Sequence, residues 1–587
     1  MRDRVLGSLQ LLGALLALML TAECTTCAAD KTAVELFPPT TVGYLEVPQP
    51  SKLAGLVLDH PLAKEIANHP DYQKALQRGH YQQFQAVLKM AEDKLGMNWR
   101  RAVASLTDGG LSVGFDLPTQ GIVALAQAAD ESLALKARDA VLELVRADAA
   151  AKGRPDPVQK DDVRGVTVYQ LGDVHLAVLG KWLLATNKRL LFAMVLENYL
   201  GNGQSLGSNE QFQAVRRDRP DQPAAWLYVD LRLIRLTGML KAALNKKSNN
   251  PPAELLAGGI LGALPDAPYV TASLELDTTR LTLIATLPAD PRAIAKSREF
   301  YFGAEGNGAA PALLRPQESL LALSMYRDLA SLWRHAPDLF DERVNAKMAE
   351  AESGLATFFG GRNFRDEILG NLQPGLQLVV ARQQFPQAGV TPAIKLPAAA
   401  VVLRLKKPAE TARVFKITFQ SLIGFVNITG GMKGLPPLDL NSEKVGGALI
   451  IGTEYVPPDK IESRNEAGIH FNASPTAVFI GDRFILSSAR PLAVELAEQV
   501  QSESPAAADI NTNLLVNVTA THTALTDNRE PLIARNMLDR GHDRGAAERE
   551  IDGLLRALAG VDQSSVQLTS DGQRLRLSVE IAIAPAK

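Results

Sequence analysis

Two short stretches in different halves of the chain follow the same plan. They are LGKWLLATNKRLL (Leu179–Leu191) and IGDRFILSSARPL (Ile480–Leu492). Each has a glycine turn, a short apolar strand and two small polar residues suited to a helix cap, followed by Arg189 or Arg490 in the first helical turn. Self-similarity over such a distance is the signature of a fold that is built more than once. The pattern predicts that both halves share one architecture.

Three further matches occur in the same order along the two halves. Each joins alternating, strand-like residues to a turn or to a helix with an apolar stripe. One match could arise by chance, whereas an ordered series predicts a tandem duplication. The pairs are Thr40–Val57 with Ser319–Trp333, Ala224–Leu231 with Asn513–Ala520, and the hairpins Leu274–Ala285 and Val566–Ile581.

The series divides the chain into two lobes of α+β class. We expect a first lobe over residues 34–300, a linker over 301–312, where GAEGNGAAP offers flexibility, and a second lobe over 313–587. Within each lobe, strands come in hairpins with helices inserted between them and do not alternate strictly with helices. This arrangement predicts mainly antiparallel sheets with helices packed on them.

The first residues have the layout of a secretory signal peptide over 1–29. Arg2 and Arg4 precede an apolar run, Val5–Leu20, and small residues close the segment. Cys24 and Cys27 are the only cysteines, and both precede the expected cleavage after Ala28 or Ala29. The alternative is a lipoprotein anchor on one of them. No later stretch has 18 uninterrupted apolar residues, so we expect no transmembrane segment after cleavage.

Composition excludes a strong electrostatic attraction to nucleic acid. The chain of 587 residues carries 62 Lys and Arg against 64 Asp and Glu, a net charge of −2. Nucleic-acid binding proteins usually carry a basic excess or a basic stripe. We therefore expect no nucleic-acid partner.

GLSVG (Gly110–Gly114) has the spacing of a hydrolase nucleophile elbow centred on Ser112. An elbow needs a strand before the serine and a helix directly after it. Here apolar and small residues alternate through the motif, and Gly121–Ala128 reads as the return strand of a hairpin. Gln377 occupies the matching place in the second half. The sequence therefore predicts an ordinary strand serine.

Other residues capable of chemistry form no recognisable constellation. His60, His69 and His80 lack zinc-motif spacing, and we interpret them as surface-loop residues. His175 and His470 lie in strand-like stretches, and no serine or cysteine can be paired with His542 from the sequence. The glycine-rich stretches match no nucleotide or calcium loop. We assign no catalytic, cofactor-binding or metal-ligating residue and no cofactor.

Four stretches carry a family resemblance: Phe37–Leu53, Ala224–Leu231, Phe364–Ala381 and Asp482–Gln499. They resemble an exported bacterial family, common in planctomycetes, that is known as a domain of unknown function. The resemblance covers most of the chain after residue 29. It implies export and a two-lobed architecture, and it brings no activity, ligand or catalytic residue.

Two functions from different classes follow as expectations. The first is a non-enzymatic exported protein that binds or scaffolds a ligand or partner in the periplasm or cell envelope, with a role as an assembly factor as a variant. The second is an exported hydrolase whose active site is assembled from residues distant in sequence. Converging titratable groups in one pocket would favour the hydrolase, and an apolar groove would favour binding.

Overall fold

A computed structural model describes residues 31–59, 73, 88–89, 92–93, 96–238, 247–385, 391–456, 468–502 and 507–584. The expected signal peptide with its two cysteines, and the three histidines between residues 60 and 80, lie outside this part. The described chain divides into two compact units. Unit 1 contains the described residues of Met1–Leu240 and Pro268–Ala285, and unit 2 those of Lys241–Ala267 and Thr286–Lys587.

Unit 1 is built on an antiparallel sheet with the strand order β4-β5-β6-β7-β3-β2-β1-β8-β9. β9 continues into its hairpin partner β10 (Arg280–Pro288). The strands are β1 (Thr41–Val47), β2 (Leu111–Asp116), β3 (Gly121–Gln127), β4 (Val158–Val163), β5 (Val166–Leu171), β6 (Val174–Leu179), β7 (Trp182–Thr186), β8 (Ala225–Asp230) and β9 (Tyr269–Leu276). The helices are α1 (Ala33–Leu36), α2 (Pro50–Leu58), α3 (Trp99–Ser105), α4 (Glu131–Ala151), α5 (Arg189–Leu200), α6 (Glu210–Arg217) and α7 (Leu231–Leu236).

Unit 2 is likewise antiparallel, with the order β14-β15-β16-β17-β13-β12-β11-β18-β19-β20. The strands are β11 (Ser319–Met325), β12 (Leu376–Ala381), β13 (Ala398–Arg404), β14 (Leu438–Val445), β15 (Ala448–Tyr455), β16 (Thr476–Ile480), β17 (Arg483–Ser487), β18 (Ile510–Asn517), β19 (Val561–Ser570) and β20 (Arg574–Ile583). The helices are α8 (Pro251–Ala263), α9 (Leu329–Arg334), α10 (Ala336–Leu339), α11 (Glu342–Phe358), α12 (Pro408–Gly431), α13 (Arg490–Gln501), α14 (Val518–Thr526), α15 (Arg529–Arg540) and α16 (Arg544–Ala559).

The strand order and the pairing register of unit 1, from β1 to β9, recur in unit 2 from β11 to β19. Ser112 lies opposite Glu46 in one unit, and Gln377 lies opposite Ser324 in the other. A register irregularity falls after the first residue of β1 and, likewise, after the first residue of β11. Because a slip of one residue would turn each side chain to the opposite face, a shared register means that corresponding positions face the same way. The predicted α+β class with mainly antiparallel sheet is confirmed.

Asn187 and Ser488, small polar residues of the repeated stretch, do not cap the helix that follows them. The N-cap residues of α5 and α13 make no side-chain cap. Instead, Asn187 Oδ1 accepts the backbone N–H of Ile122 (2.8 Å), and Ser488 Oγ accepts that of Ala399 (2.9 Å). Both bonds tie the end of a strand to the neighbouring strand, β3 or β13. The predicted cap was wrong because these side chains point across the sheet.

The unit boundary differs from the lobes expected from sequence. α8 follows β8 along the chain, yet it belongs to unit 2, where the Leu255 carbonyl accepts from Arg327 Nε (2.6 Å). The expected linker, 301–312, is also held in unit 2. Ala310 is buried, and its N–H donates to the Ile510 carbonyl (2.7 Å). These long-range contacts cannot be read from composition, which shows only that the segment is small and glycine-rich.

The core side chains differ between the two units at equivalent strand positions. In unit 1, Tyr44 packs edge-on against Phe37 and Phe212. In unit 2, the register position of Tyr44 is occupied by Ala322. Sheet geometry is therefore shared while side-chain packing is not. Nowhere in the described chain is a helix both long and apolar enough to cross a membrane.

Candidate binding surface on unit 2

Ser112 is a buried strand residue in the core of unit 1. Its strand, β2, runs on to Asp116 and turns back into β3, as predicted, so no helix follows the serine. The hydroxyl is buried 3.2 Å from Tyr44 Oη, and burial raises the pKa of that phenol. Tyr44 Oη also donates to Glu46 (3.3 Å), whose carboxylate binds Arg219 (2.8 Å). The cluster fastens the chain after α6 to the sheet, and its geometry is not that of an elbow.

The described histidines are dispersed. His175 lies in β6 as predicted, and burial lowers its pKa. His470 does not lie in a strand: it belongs to a 3₁₀ turn, Ile469–Asn472, where its ring packs 5.0 Å from that of Tyr455. His542 Nδ1 lies 2.9 Å from Asn536 Oδ1. Among the described residues, no three His, Cys, Asp or Glu side chains are placed to hold a metal ion.

The most informative contrast between the units lies in two corresponding helices. α4 joins β3 to β4, and α12 joins β13 to β14, so both occupy the same place in the fold. On α4 the exposed positions are mostly charged and include Lys136, Asp139, Glu143 and Arg146. Charged residues of both signs are the ordinary choice for a helix face in water. α12 breaks this rule.

The inner face of α12 is anchored in the core of unit 2. Phe415, Phe419 and Ile423 are buried there, and Phe415 packs with its ring centroid 4.8 Å from that of Phe484. Near the end of the helix, the Asn427 side chain makes two hydrogen bonds to the backbone of Leu438, of 2.8 and 2.9 Å. The helix therefore has a fixed orientation.

The outer face of α12 is an apolar stripe exposed to solvent, which we call the outer stripe. Ile417 is 54% exposed, Phe425 52%, Ile428 68% and Met432 83%. They recur at helical spacing and lie on one side of the helix. Phe358, at the end of α11, is 41% exposed and widens the patch, since its ring packs edge-on against Phe425 at 5.9 Å. Exposed apolar clusters of this kind mark binding surfaces more often than isolated exposed residues do.

The segment that carries the outer stripe has charges of one sign, whereas Glu367 and Glu410 line the adjoining groove. No Asp or Glu occurs between Thr411 and Leu438, whereas Arg413, Lys416 and Lys433 do. The surface thus combines apolar side chains with cations near both ends. An anionic amphiphile has the complementary chemistry.

A groove of about 810 Å³ opens beside the first turns of α12. One wall is formed by the π-helical turn Phe364–Ile368. Arg362 and Glu367 both line the groove and form a salt bridge (3.5 Å). Arg413 makes no salt bridge among the described residues. Ile417 lines the groove and also begins the outer stripe. The lining residues are Arg362, Glu367, Ile368, Asn371, Ala409, Glu410, Thr411, Arg413, Val414 and Ile417.

Sequence reasoning missed this surface. The signal was present: Val414–Ile428 carries apolar residues around most of the helix circumference, beyond what a one-sided amphipathic stripe needs. Such a helix is usually buried, so the pattern favours a core position. Only the packing shows which side is covered and which is not.

Comparisons with known proteins add no function. Neither a family model nor a curated protein sequence matches the chain. Crystal form I of TP0453 is similar at 11% identity, over 48% of this chain and 88% of that one, with a TM-score of 0.26. Crystal form III of TP0453 is similar at 10% identity, over 45% and 81% of the two chains, with a TM-score of 0.23. A likeness this weak supports no inference about activity.

Proposed function

We propose that this chain is a non-enzymatic exported protein that binds or scaffolds an apolar or amphiphilic ligand in the periplasm or cell envelope. The observation that carries the proposal is the outer stripe of α12, which lies beside the groove in unit 2. A solvated helix face normally carries charges, as α4 does at the corresponding place in unit 1. Large apolar side chains kept exposed on a rigid helix favour a binding role.

We also propose that the two units arose by tandem duplication. Support comes from the shared strand order, from the common register, and from the matching hydrogen bonds of Asn187 and Ser488. After a duplication, the surface of one copy can diverge while the other copy keeps its charged surface. The difference between α4 and α12 is the outcome expected of such a history.

Export is the third part of the proposal. It rests on the signal-like layout of residues 1–29 and on the resemblance to an exported family of unknown function. Cleavage after Ala28 or Ala29 would remove both cysteines. A lipid anchor on Cys24 or Cys27 is the competing outcome, and the mass of the mature N-terminus separates the two.

A thermal-shift screen of the mature protein against lipids, glycans and peptides tests the binding role. We expect apolar or amphiphilic ligands to raise the unfolding temperature, because a ligand that binds only the folded state stabilises it. The triple variant Phe425→Ser, Ile428→Asn, Met432→Gln should abolish that shift. Leu538→Gln, at a residue that is 81% exposed on α15, is the matched control and should keep the shift.

The same preparation can be assayed for ester, peptide and glycoside hydrolysis. Turnover that survives in the triple variant, together with no ligand-induced shift in the wild type, would favour the hydrolase and contradict a binding role.

A further inference from the structure

We infer that the outer stripe of α12 docks unit 2 onto an anionic lipid surface, with the helix lying in the plane of the headgroups. This inference rests on the proposed binding function and names its partner. It follows from three properties of the described residues: the shape of the stripe, the sign of its charges and the contrast with α4.

The first property is shape. From Ile417 to Met432 the stripe runs along about four turns, or about 22 Å at 1.5 Å per residue. Its opposite side is held in the core by Phe415 and Phe419, so the helix cannot rotate to hide the stripe. A long, fixed, flat apolar face can enter a bilayer interface only lengthwise. A compact ligand would need a pocket with walls, and along Phe425–Met432 the side chains stand open to solvent.

The second property is charge. Arg413 and Lys416 lie near the start of the stripe and Lys433 lies at its end, with no carboxylate from Thr411 to Leu438. A second copy of this face would bring like charges together, which disfavours self-association. Anionic headgroups instead complement the cations, each such contact adding to membrane attraction. In the groove, Glu367 is paired with Arg362 and Glu410 with Lys407, whereas Arg413 has no salt-bridge partner among the described residues and is available to a lipid phosphate.

The third property is the contrast with unit 1. To enter the same interface, α4 would have to desolvate Asp139 and Glu143 beside negative headgroups. Membrane docking should therefore be confined to unit 2. The contrast also provides an internal control that shares the same fold.

Vesicle flotation of the full mature protein tests the inference. We expect it to float with phosphatidylcholine vesicles that contain phosphatidylglycerol, and less with pure phosphatidylcholine. The triple variant Phe425→Ser, Ile428→Asn, Met432→Gln should bind at least about tenfold more weakly, since each change removes an apolar side chain from the interface. The double variant Arg413→Gln, Lys433→Gln should lose most of the preference for phosphatidylglycerol while keeping a normal unfolding temperature.

Controls separate docking from loss of folding. Leu236→Asn and Leu538→Gln each remove one leucine that is not part of the outer stripe and that is 84% or 81% exposed, and both variants should float like the wild type. All five altered positions in the two test variants are exposed, so circular dichroism and the unfolding temperature should stay unchanged.

Three results would overturn the inference: no flotation of the wild type with phosphatidylglycerol vesicles, equal flotation of the triple variant, or a wild-type dimer in sedimentation that the triple variant lacks. If flotation fails while another amphiphile still gives a thermal shift that the triple variant abolishes, only the lipid assignment is lost. If neither assay responds to the triple variant, the proposed binding surface fails with it.

Discussion

Arg327 offers the sharpest test of how unit 2 is held together. Its guanidinium is fully buried, and the carbonyl of Leu255 accepts from Nε at 2.6 Å. Asn511 Oδ1 and Thr512 Oγ1 accept from the two terminal nitrogens at 2.9 and 3.0 Å. The guanidinium carbon lies 3.4 Å from the ring centroid of Tyr301. One side chain thus joins α8, the 3₁₀ helix Lys296–Tyr301 and the start of β18.

The geometry predicts different losses of unfolding free energy for Arg327→Lys and Arg327→Met. Burial lowers the pKa of Arg327 to about 10, so the group stays charged at neutral pH, and its described hydrogen-bond acceptors are carbonyl, amide and hydroxyl oxygens. Arg327→Lys keeps the buried charge but loses the planar fork that reaches acceptors on two sides. At about 1.5–3 kcal/mol for each lost hydrogen bond to a charged group, losing two of them costs about 3–6 kcal/mol.

Arg327→Met removes the charge together with its desolvation cost, and it leaves the neutral acceptors without this partner. We expect a loss of about 2–3 kcal/mol, less than for lysine. Urea unfolding, followed by hydrogen exchange in peptides that cover 251–263 and 507–517, measures the loss within unit 2. A lysine variant that is more stable than the methionine variant would refute the reasoning, since positive charge and not the shape of the guanidinium would then be what the site needs.

Three further predictions concern unit 1 and its counterpart. Gly114→Ala should destabilise the protein by about 1–3 kcal/mol in urea unfolding, because the new Cβ would lie 2.4 Å from the buried ring of Phe37; an unchanged midpoint would contradict the packing described. Asn187→Ala and Ser488→Ala should each cost about 0.5–1.5 kcal/mol, the serine less because it is exposed, and hydrogen exchange should locate each loss in its own unit. Because burial lowers the pKa of His175, the unfolded chain takes up this proton more readily, so stability should fall as the pH drops below about 6.5. His175→Gln should flatten that slope in unfolding temperature measured between pH 8 and about 5.

Local patterns predicted the parts of the fold that depend on local chemistry. Alternation through Ser112 correctly indicated a strand and a hairpin, and the placing of Gln377 at the matching position agrees with the register. A strand can be recognised from side-chain alternation because that information lies within one short stretch of the sequence. The same logic failed at His470, where the stretch forms a 3₁₀ turn and not a strand.

What the sequence could not supply depends on contacts between distant residues. The residues of α8 were expected in the first lobe, yet they belong to unit 2, where the Leu255 carbonyl accepts from Arg327 Nε. The outer stripe was missed for a related reason. An apolar residue such as Ile428 looks the same in sequence whether it is covered or exposed, and only the completed packing distinguishes the two cases.

Hydrogen exchange of the mature protein, with and without phosphatidylglycerol vesicles, tests the central claim most directly. We predict new protection in peptides that cover 411–438, around the outer stripe, and none in peptides that cover 131–151, on the charged helix at the corresponding place in unit 1. Equal protection of both helices, or protection of neither, would contradict the assignment of binding to the outer face of α12.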